Sequence, residues 1–232
     1  MNSSHFNQES IAAENSFKFS RKQLLFKLLM QLTMAAGSIW ALLLTEYLLA
    51  LLVASAMVAT MAPVWLRRRF HFYLPPETEL LAIIFIYATL FLGEFGDFYN
   101  RFWWWDVLLH TGSSFLLGLV AFILVDVLNR APHTELNLSP EFVALFAVVF
   151  ALAVGTLWEI FEFTMDGLLG LNMQRSGLVD TMWDLIVDLV GATVVSIMGY
   201  AHLRNDHKTF IVPLMERFLR ANKRLLRREP RS

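Results

Sequence analysis

Of the 232 residues, 56% are hydrophobic and only 17% charged, and the mean hydropathy is +0.52. A soluble domain carries about 25% charged residues, so composition argues against a water-soluble body. The net charge of −1 singles out no partner, and the absence of cysteine excludes disulfides, thiolate metal ligands and a cysteine nucleophile.

In chain order, residues 1–22 are polar and lack the apolar segment of a cleavable signal peptide, so targeting is expected from internal helices. Residues 23–203 hold six apolar segments that approach the roughly 20 residues a bilayer crossing needs. The stretch 24–66 is too long for one helix, and Thr45, Glu46 and Tyr47 are its only plausible break, which predicts a tight hairpin of two spans. The third span, about 80–93, is short; Pro76 and the acids after it read as its helix start. The fourth covers about 103–128. The fifth begins where Ser139 caps, Pro140 fits the first turn and Glu141 suits the helix dipole. The sixth starts near Asp180, read as a cap, and runs to about 200. The expected fold is therefore an all-α, polytopic helical bundle.

Residues 204–232 form a basic tail. Ile211, Leu214, Met215, Phe218, Leu225 and Leu226 recur at helical spacing, and Arg217, Arg220, Lys223, Arg224, Arg227 and Arg228 fill the other face. The pattern suits an amphipathic helix on anionic lipid, with a solvated basic tail as the alternative. Nucleic acid is not an expected partner beside a membrane body.

The basic residues orient the chain. With both termini in the cytoplasm, 17 of the 19 Lys and Arg fall inside, and only Arg101 and Arg175 fall outside. Ten of the twenty acids then lie in outer hairpins or the outer parts of spans. Glu159, Glu162 and Asp166 in "WEIFEFTMD" share a helix face within about 60°, and Asp180, Asp184 and Asp188 share one within about 80°. Asp106 and His110 are one turn apart. An acid at mid-membrane costs roughly 2.5–3.5 kcal/mol, so these stripes are expected to face one another rather than lipid.

Facing carboxylates need protons or a cation among them. An Asp-x-x-x-His pair, a Glu-x-x-Glu pair and three helix-spaced Asp resemble the ligands of carboxylate-rich metal sites in helical bundles. The candidate ligands are Asp106, His110, Glu159, Glu162, Asp166, Asp180, Asp184 and Asp188. Asp106, His110, Glu159, Glu162 and Asp184 are the candidate catalytic groups, and Arg101 and Arg175 the candidate anion clamps. The donor set suits a divalent Mg, Ca, Mn, Fe or Zn ion without choosing among them. Each residue also has a plainer reading. Asp106 and Asp180 can cap helices, His110 can join helices by a hydrogen bond, Glu159 and Glu162 can be solvated, and the arginines can be surface counter-ions. Trp103, Trp104 and Trp105 read as an interfacial aromatic belt, and Gly112, Gly118 and Gly191 as close helix-packing positions.

The strings "RRRFHFYLP" (67–75), "LGEFGDFYNRFWWWDVLLH" (92–110), "WEIFEF" (158–163) and "DTMWDLIVDLVGA" (180–192) together resemble the YjdF-like family of bacterial inner-membrane proteins over roughly 24–200. The resemblance implies a multi-pass inner-membrane fold and weight on the acid positions; it supplies no reaction. A looser likeness to VanZ-type membrane proteins hints at the cell envelope. The loop "GLNMQRSGLVDT" departs from the family pattern, so no role for Gln174 or Arg175 carries over.

Three functions fit these readings. One is a metal-dependent membrane enzyme acting at the outer leaflet on a lipid-linked or phosphate-bearing substrate. The second is a proton or cation transporter, which polar groups in the inner half-spans would have to support; few are present. The third is a non-catalytic scaffold glued by its acids. No nucleophile elbow, phosphate-cradling loop or nucleotide fingerprint occurs in the required context.

Overall fold

A computed structural model describes residues 19–70, 75–130, 138–205, 213, 216–218 and 222. Every regular element among them is helical, and six helices are long and apolar enough to cross a membrane: Arg21–Leu43, Tyr47–Trp65, Pro76–Phe95, Trp104–Val125, Pro140–Leu169 and Leu178–Arg204. The chain is an all-α, multi-span membrane protein. Its large apolar side chains point outward: Leu43, Leu51 and Leu168 are exposed, the reverse of a soluble core, and the bilayer is the solvent that covers such surfaces. The helices cluster into two compact units that divide after Phe102.

The first unit opens with α1, Arg21–Leu43. The Ser20 hydroxyl accepts from the Gln23 N–H at 3.2 Å, and the Gln23 side chain accepts from the Ser20 N–H at 2.8 Å, a reciprocal cap. The apolar stretch breaks where its sequence predicts. Thr45 takes a left-handed turn at φ 63°, and α2 restarts at Tyr47 and runs to Ala59. After a jog at Thr60 and Met61 the chain continues as α3, Ala62–Phe70.

The third span is longer than the apolar run 80–93 suggests. Helix α4, Pro76–Ile86, starts with Pro76 and carries Glu77 and Glu79 in its first turn. Glu79 belongs inside because Lys27 of α1 meets it at 3.1 Å, so a charged pair replaces the solvent the carboxylate loses. The span then widens into a π-helical segment, Tyr87–Phe95. The Thr89 hydroxyl donates to the Phe85 and Ile86 carbonyls there, and Phe91 stacks on Phe95 at 5.0 Å beside Gly37. A short α5, Phe98–Arg101, closes the unit.

The second unit is a three-helix bundle: α6, Trp104–Arg130, α7, Pro140–Leu169, and α8, Leu178–Asn205. Each packs against the other two. Ser139 caps α7 by accepting from the Phe142 N–H at 3.3 Å, with Pro140 in the first turn as expected. The α7 residues Val143, Ala147, Ala151, Gly155 and Glu159 are all buried and recur every fourth position. That stripe is mostly small, so the neighbouring helices approach closely and the row ends with a carboxylate turned inward. Leu119, Phe122, Val125, Val143, Ala147 and Val195 form an apolar core.

Two sequence expectations change here. Helix α8 begins at Leu178, after Gly177 at φ 62°, so Asp180 lies in its first turn instead of capping it. Gly112 has nothing within 4 Å of where a Cβ would stand, so it makes no close contact. Gly118 and Gly191 do serve packing. A Cβ at Gly191 would strike the Thr111 carbonyl and the Ser114 hydroxyl; one at Gly118 would strike Val195. Gly191→Ala should therefore lose about 1–3 kcal/mol through overpacking against backbone. Gly112→Ala should be neutral or gain up to about 1 kcal/mol in helix propensity. Thermal melts in detergent compare them, and equal melting temperatures would refute this crossing.

Of the predicted tail helix, Arg217 is exposed and Phe218 buried. Ile211, Leu214, Met215, Arg220, Lys223, Arg224, Leu225, Leu226, Arg227 and Arg228 lie outside the described residues, as does the N-terminal segment 1–18.

Candidate metal centre

Three helices bring the acids together within the second unit. Asp106 and His110 sit one turn apart near the start of α6. Glu159 ends the small-residue stripe of α7, and Asp184 and Asp188 sit one turn apart on the inward face of α8. His110, Glu159, Asp184 and Asp188 are 8%, 3%, 3% and 1% exposed, and Asp106 is half-buried.

The imidazole of His110 is the hub. Its Nε2 lies 3.8 Å from Asp106 Oδ1, 3.8 Å from Glu159 Oε1 and 3.9 Å from Asp184 Oδ1. Its Nδ1 lies 3.5 Å from Asp188 Oδ1. The three Nε2 distances are too long for hydrogen bonds. They are ion-pair distances for a protonated imidazole, and they also suit donors that share a small central group. One ligand atom each from Asp106, His110 and Asp184 lies within 4.8 Å of the others. A point equidistant from three such atoms is about 2.2–2.5 Å from each, the range of metal–ligand bonds.

Satisfaction of the buried polar atoms points the same way. Both oxygens of Glu159 and both of Asp188 are buried without a hydrogen-bond partner. Buried carboxylates without partners are costly, and a native structure keeps them for a reason. Gly155 supplies the room: a Cβ there would strike the Asp188 carboxylate.

The remaining candidates separate. Glu162 is half-buried, one turn from Glu159, and within electrostatic reach of Glu159, His110 and Asp106. Asp166 is engaged elsewhere: its oxygens accept from the Met173 N–H at 2.7 Å and the Gln174 N–H at 2.9 Å, folding the α7–α8 loop back on the helix end. Asp180 accepts from the Arg175 N–H at 3.0 Å, and Gln174 donates to Thr181 at 2.6 Å. These two acids shape the loop that carries Arg175, whose charge reaches Asp106. Arg101 belongs to the first unit, where it pairs with Asp97 at 3.5 Å.

Sequence reasoning missed Gly155. Gly155 was legible in part, since it extends the four-residue spacing of Ala147 and Ala151 up to Glu159. Nothing in the sequence announces that it faces Asp188.

The family described as "Predicted membrane protein (DUF2238)" matches residues 26–205, from the first span to the last. A protein of Thermotoga maritima described as "Uncharacterized protein" is 31% identical over 130 residues. The alignment covers 56% of this chain and 65% of that relative, so the chain spans less than two thirds of the relative's length. No solved structure matches.

Proposed function

We propose that this chain, which belongs to the DUF2238 family of predicted membrane proteins, is a bacterial inner-membrane enzyme that holds one divalent metal ion between α6, α7 and α8. Its substrate class is a lipid-linked or phosphate-bearing molecule taken at the outer leaflet. The observation that carries the reading is His110 Nε2, ringed at 3.8–3.9 Å by oxygens from Asp106, Glu159 and Asp184. Three helices converge on that geometry, at distances longer than hydrogen bonds. All four strings that carry the YjdF-like resemblance fall within the matched residues, and the finer family name stands with this proposal.

Asp106, His110 Nε2 and Asp184 are the ligands. When bound, a divalent ion would polarise a phosphoryl or carbonyl oxygen and lower the pKa of a bound water. Glu159, buried with unmet oxygens, would serve as the general base that takes a proton from water. Glu162, half-buried on the same face, passes the proton toward solvent. Arg175, whose backbone is fixed by Asp180 and whose charge bears on Asp106, balances the anionic group of the substrate.

The positive-inside bias supports cytoplasmic termini and a site near the outer face. The basic spacing of the tail supports anionic lipid as its partner. Within the second unit, the apolar core around Phe122 and Val195 favours an enzyme over a transporter.

Phosphate release from phosphatidate and from a polyprenyl diphosphate, in detergent, tests the reading. Release should require a divalent ion, stop with chelator and fall roughly 10²–10⁴-fold in Glu159→Gln, the span of general-base contributions. Cation flux into liposomes, abolished by Asp188→Asn, with no phosphate release, would establish a transporter instead.

A further inference from the structure

Asp188 differs from the other acids of the centre. Asp106, Glu159 and Asp184 approach one nitrogen of His110, and Asp188 approaches the other. The two ring nitrogens point away from each other, so a single ion at Nε2 lies on the far side of the ring from Asp188. Asp188 is 1% exposed, and neither of its oxygens has a hydrogen-bond partner. Its carboxylate occupies the space that the missing side chain of Gly155 leaves on α7.

Resting on the metal-site reading, we infer that Asp188 is a positioning residue for His110 and not a ligand. Its Oδ1, 3.5 Å from Nδ1, would accept a hydrogen bond from the Nδ1–H group. That contact selects the tautomer whose Nε2 lone pair faces Asp106 and Asp184, and it makes the imidazole a stronger donor. Carboxylate partners of this kind typically contribute 10–100-fold to metal affinity. The arrangement also accounts for a carboxylate this deep in a spanning helix. Its charge is met by an imidazole that carries the ion's charge on its other side. Gly155 belongs to the same device. A Cβ there meets the mobile end of Asp188 rather than backbone, so Gly155→Ala should shift the carboxylate off Nδ1 and leave the helices in place.

The experiment is Co²⁺ titration of the full-length protein in detergent, followed by affinity and by the visible absorption of the bound ion. Circular dichroism and thermal melting run in parallel. Asp188→Asn should bind Co²⁺ 10–100-fold more weakly, with one ion still bound at saturation and a shifted absorption band. Gly155→Ala should change both readouts in the same direction by a smaller factor, and it serves if Asp188→Asn does not fold. Unchanged affinity and spectrum in a folded variant would overturn the inference and leave the metal site standing. So would complete loss of binding in Asp188→Asn with retained helicity, which would make Asp188 a ligand. Failure of the unmutated protein to bind Co²⁺, Zn²⁺, Mn²⁺ or Mg²⁺ would remove the metal site itself, and the inference with it.

Discussion

Asp184→Ala is expected to weaken divalent-ion binding by roughly 10²–10⁴-fold while the helices persist. The magnitude follows from burial. Asp184 is 3% exposed, and its Oδ1 lies 3.9 Å from His110 Nε2 on the ion's side of the ring. Removing one partner from a buried charged assembly costs about 3–5 kcal/mol, and each 1.4 kcal/mol is tenfold in affinity. The contrast is as informative as the loss. Asp166→Ala and Asp180→Ala remove acids of the same stripes, yet those carboxylates hold backbone N–H groups of the α7–α8 loop. The ion affinity of Asp166→Ala should stay within about threefold of the parent, since uncoupled sites contribute independently. Asp180→Ala should lose more than that but less than Asp184→Ala, because the Asp180 charge also bears on Asp106 and Asp184. Isothermal titration of the three variants checks the ordering. Equal losses at all three positions would mean that the ion responds to diffuse negative charge and not to this ligand set.

The second large effect is on stability. With no cation, several buried carboxylates face one another across a few ångströms, and like charges in a low-dielectric interior repel strongly. An ion that binds only the folded state stabilises it by about 4 kcal/mol at a thousand times its dissociation constant. For a chain of this size that corresponds to about 8–16 °C in melting temperature. Chelation should lower the melting temperature by that amount, and re-addition of the ion should restore it. Glu159→Gln should have opposite effects in the two states: it removes a negative charge, so the chelated protein melts higher and the response to ion shrinks. A scaffold held together by acid-mediated contacts predicts the reverse, with Glu159→Gln melting lower and chelator without effect.

Much of the architecture was readable because it rests on local chemistry. Ser139, Pro140 and Glu141 start α7 as their propensities dictate, and Thr45 and Glu46 break an apolar run too long for one crossing. The π-helical stretch was not readable, since a wider turn has no compositional mark; Tyr87 to Phe95 reads like any apolar helix. The start of the third span at Pro76 was readable from the proline and the acids after it, but the burial of Glu79 was not, since its partner Lys27 lies 52 residues away.

At the candidate site, helical spacing identified which acids share a face. It did not separate those that turn inward from those near a helix end that turn back to the loop. Asp166 and Asp184 are equivalent by periodicity, yet one meets two backbone N–H groups and the other meets His110. The division of labour around the imidazole, with Asp188 at Nδ1 and three oxygens at Nε2, depends on how three helices cross. Gly155 and Gly191 set that crossing through contacts far apart in sequence.

Elemental analysis of protein purified in detergent without chelator bears most directly on the claim that α6, α7 and α8 build a cation site. The account predicts close to one divalent ion per chain in the parent protein and less than about a tenth of that in Asp184→Ala, as its affinity loss implies. A folded parent protein free of divalent metal, and still free of it after incubation with Mg²⁺, Mn²⁺, Co²⁺ and Zn²⁺, would contradict it.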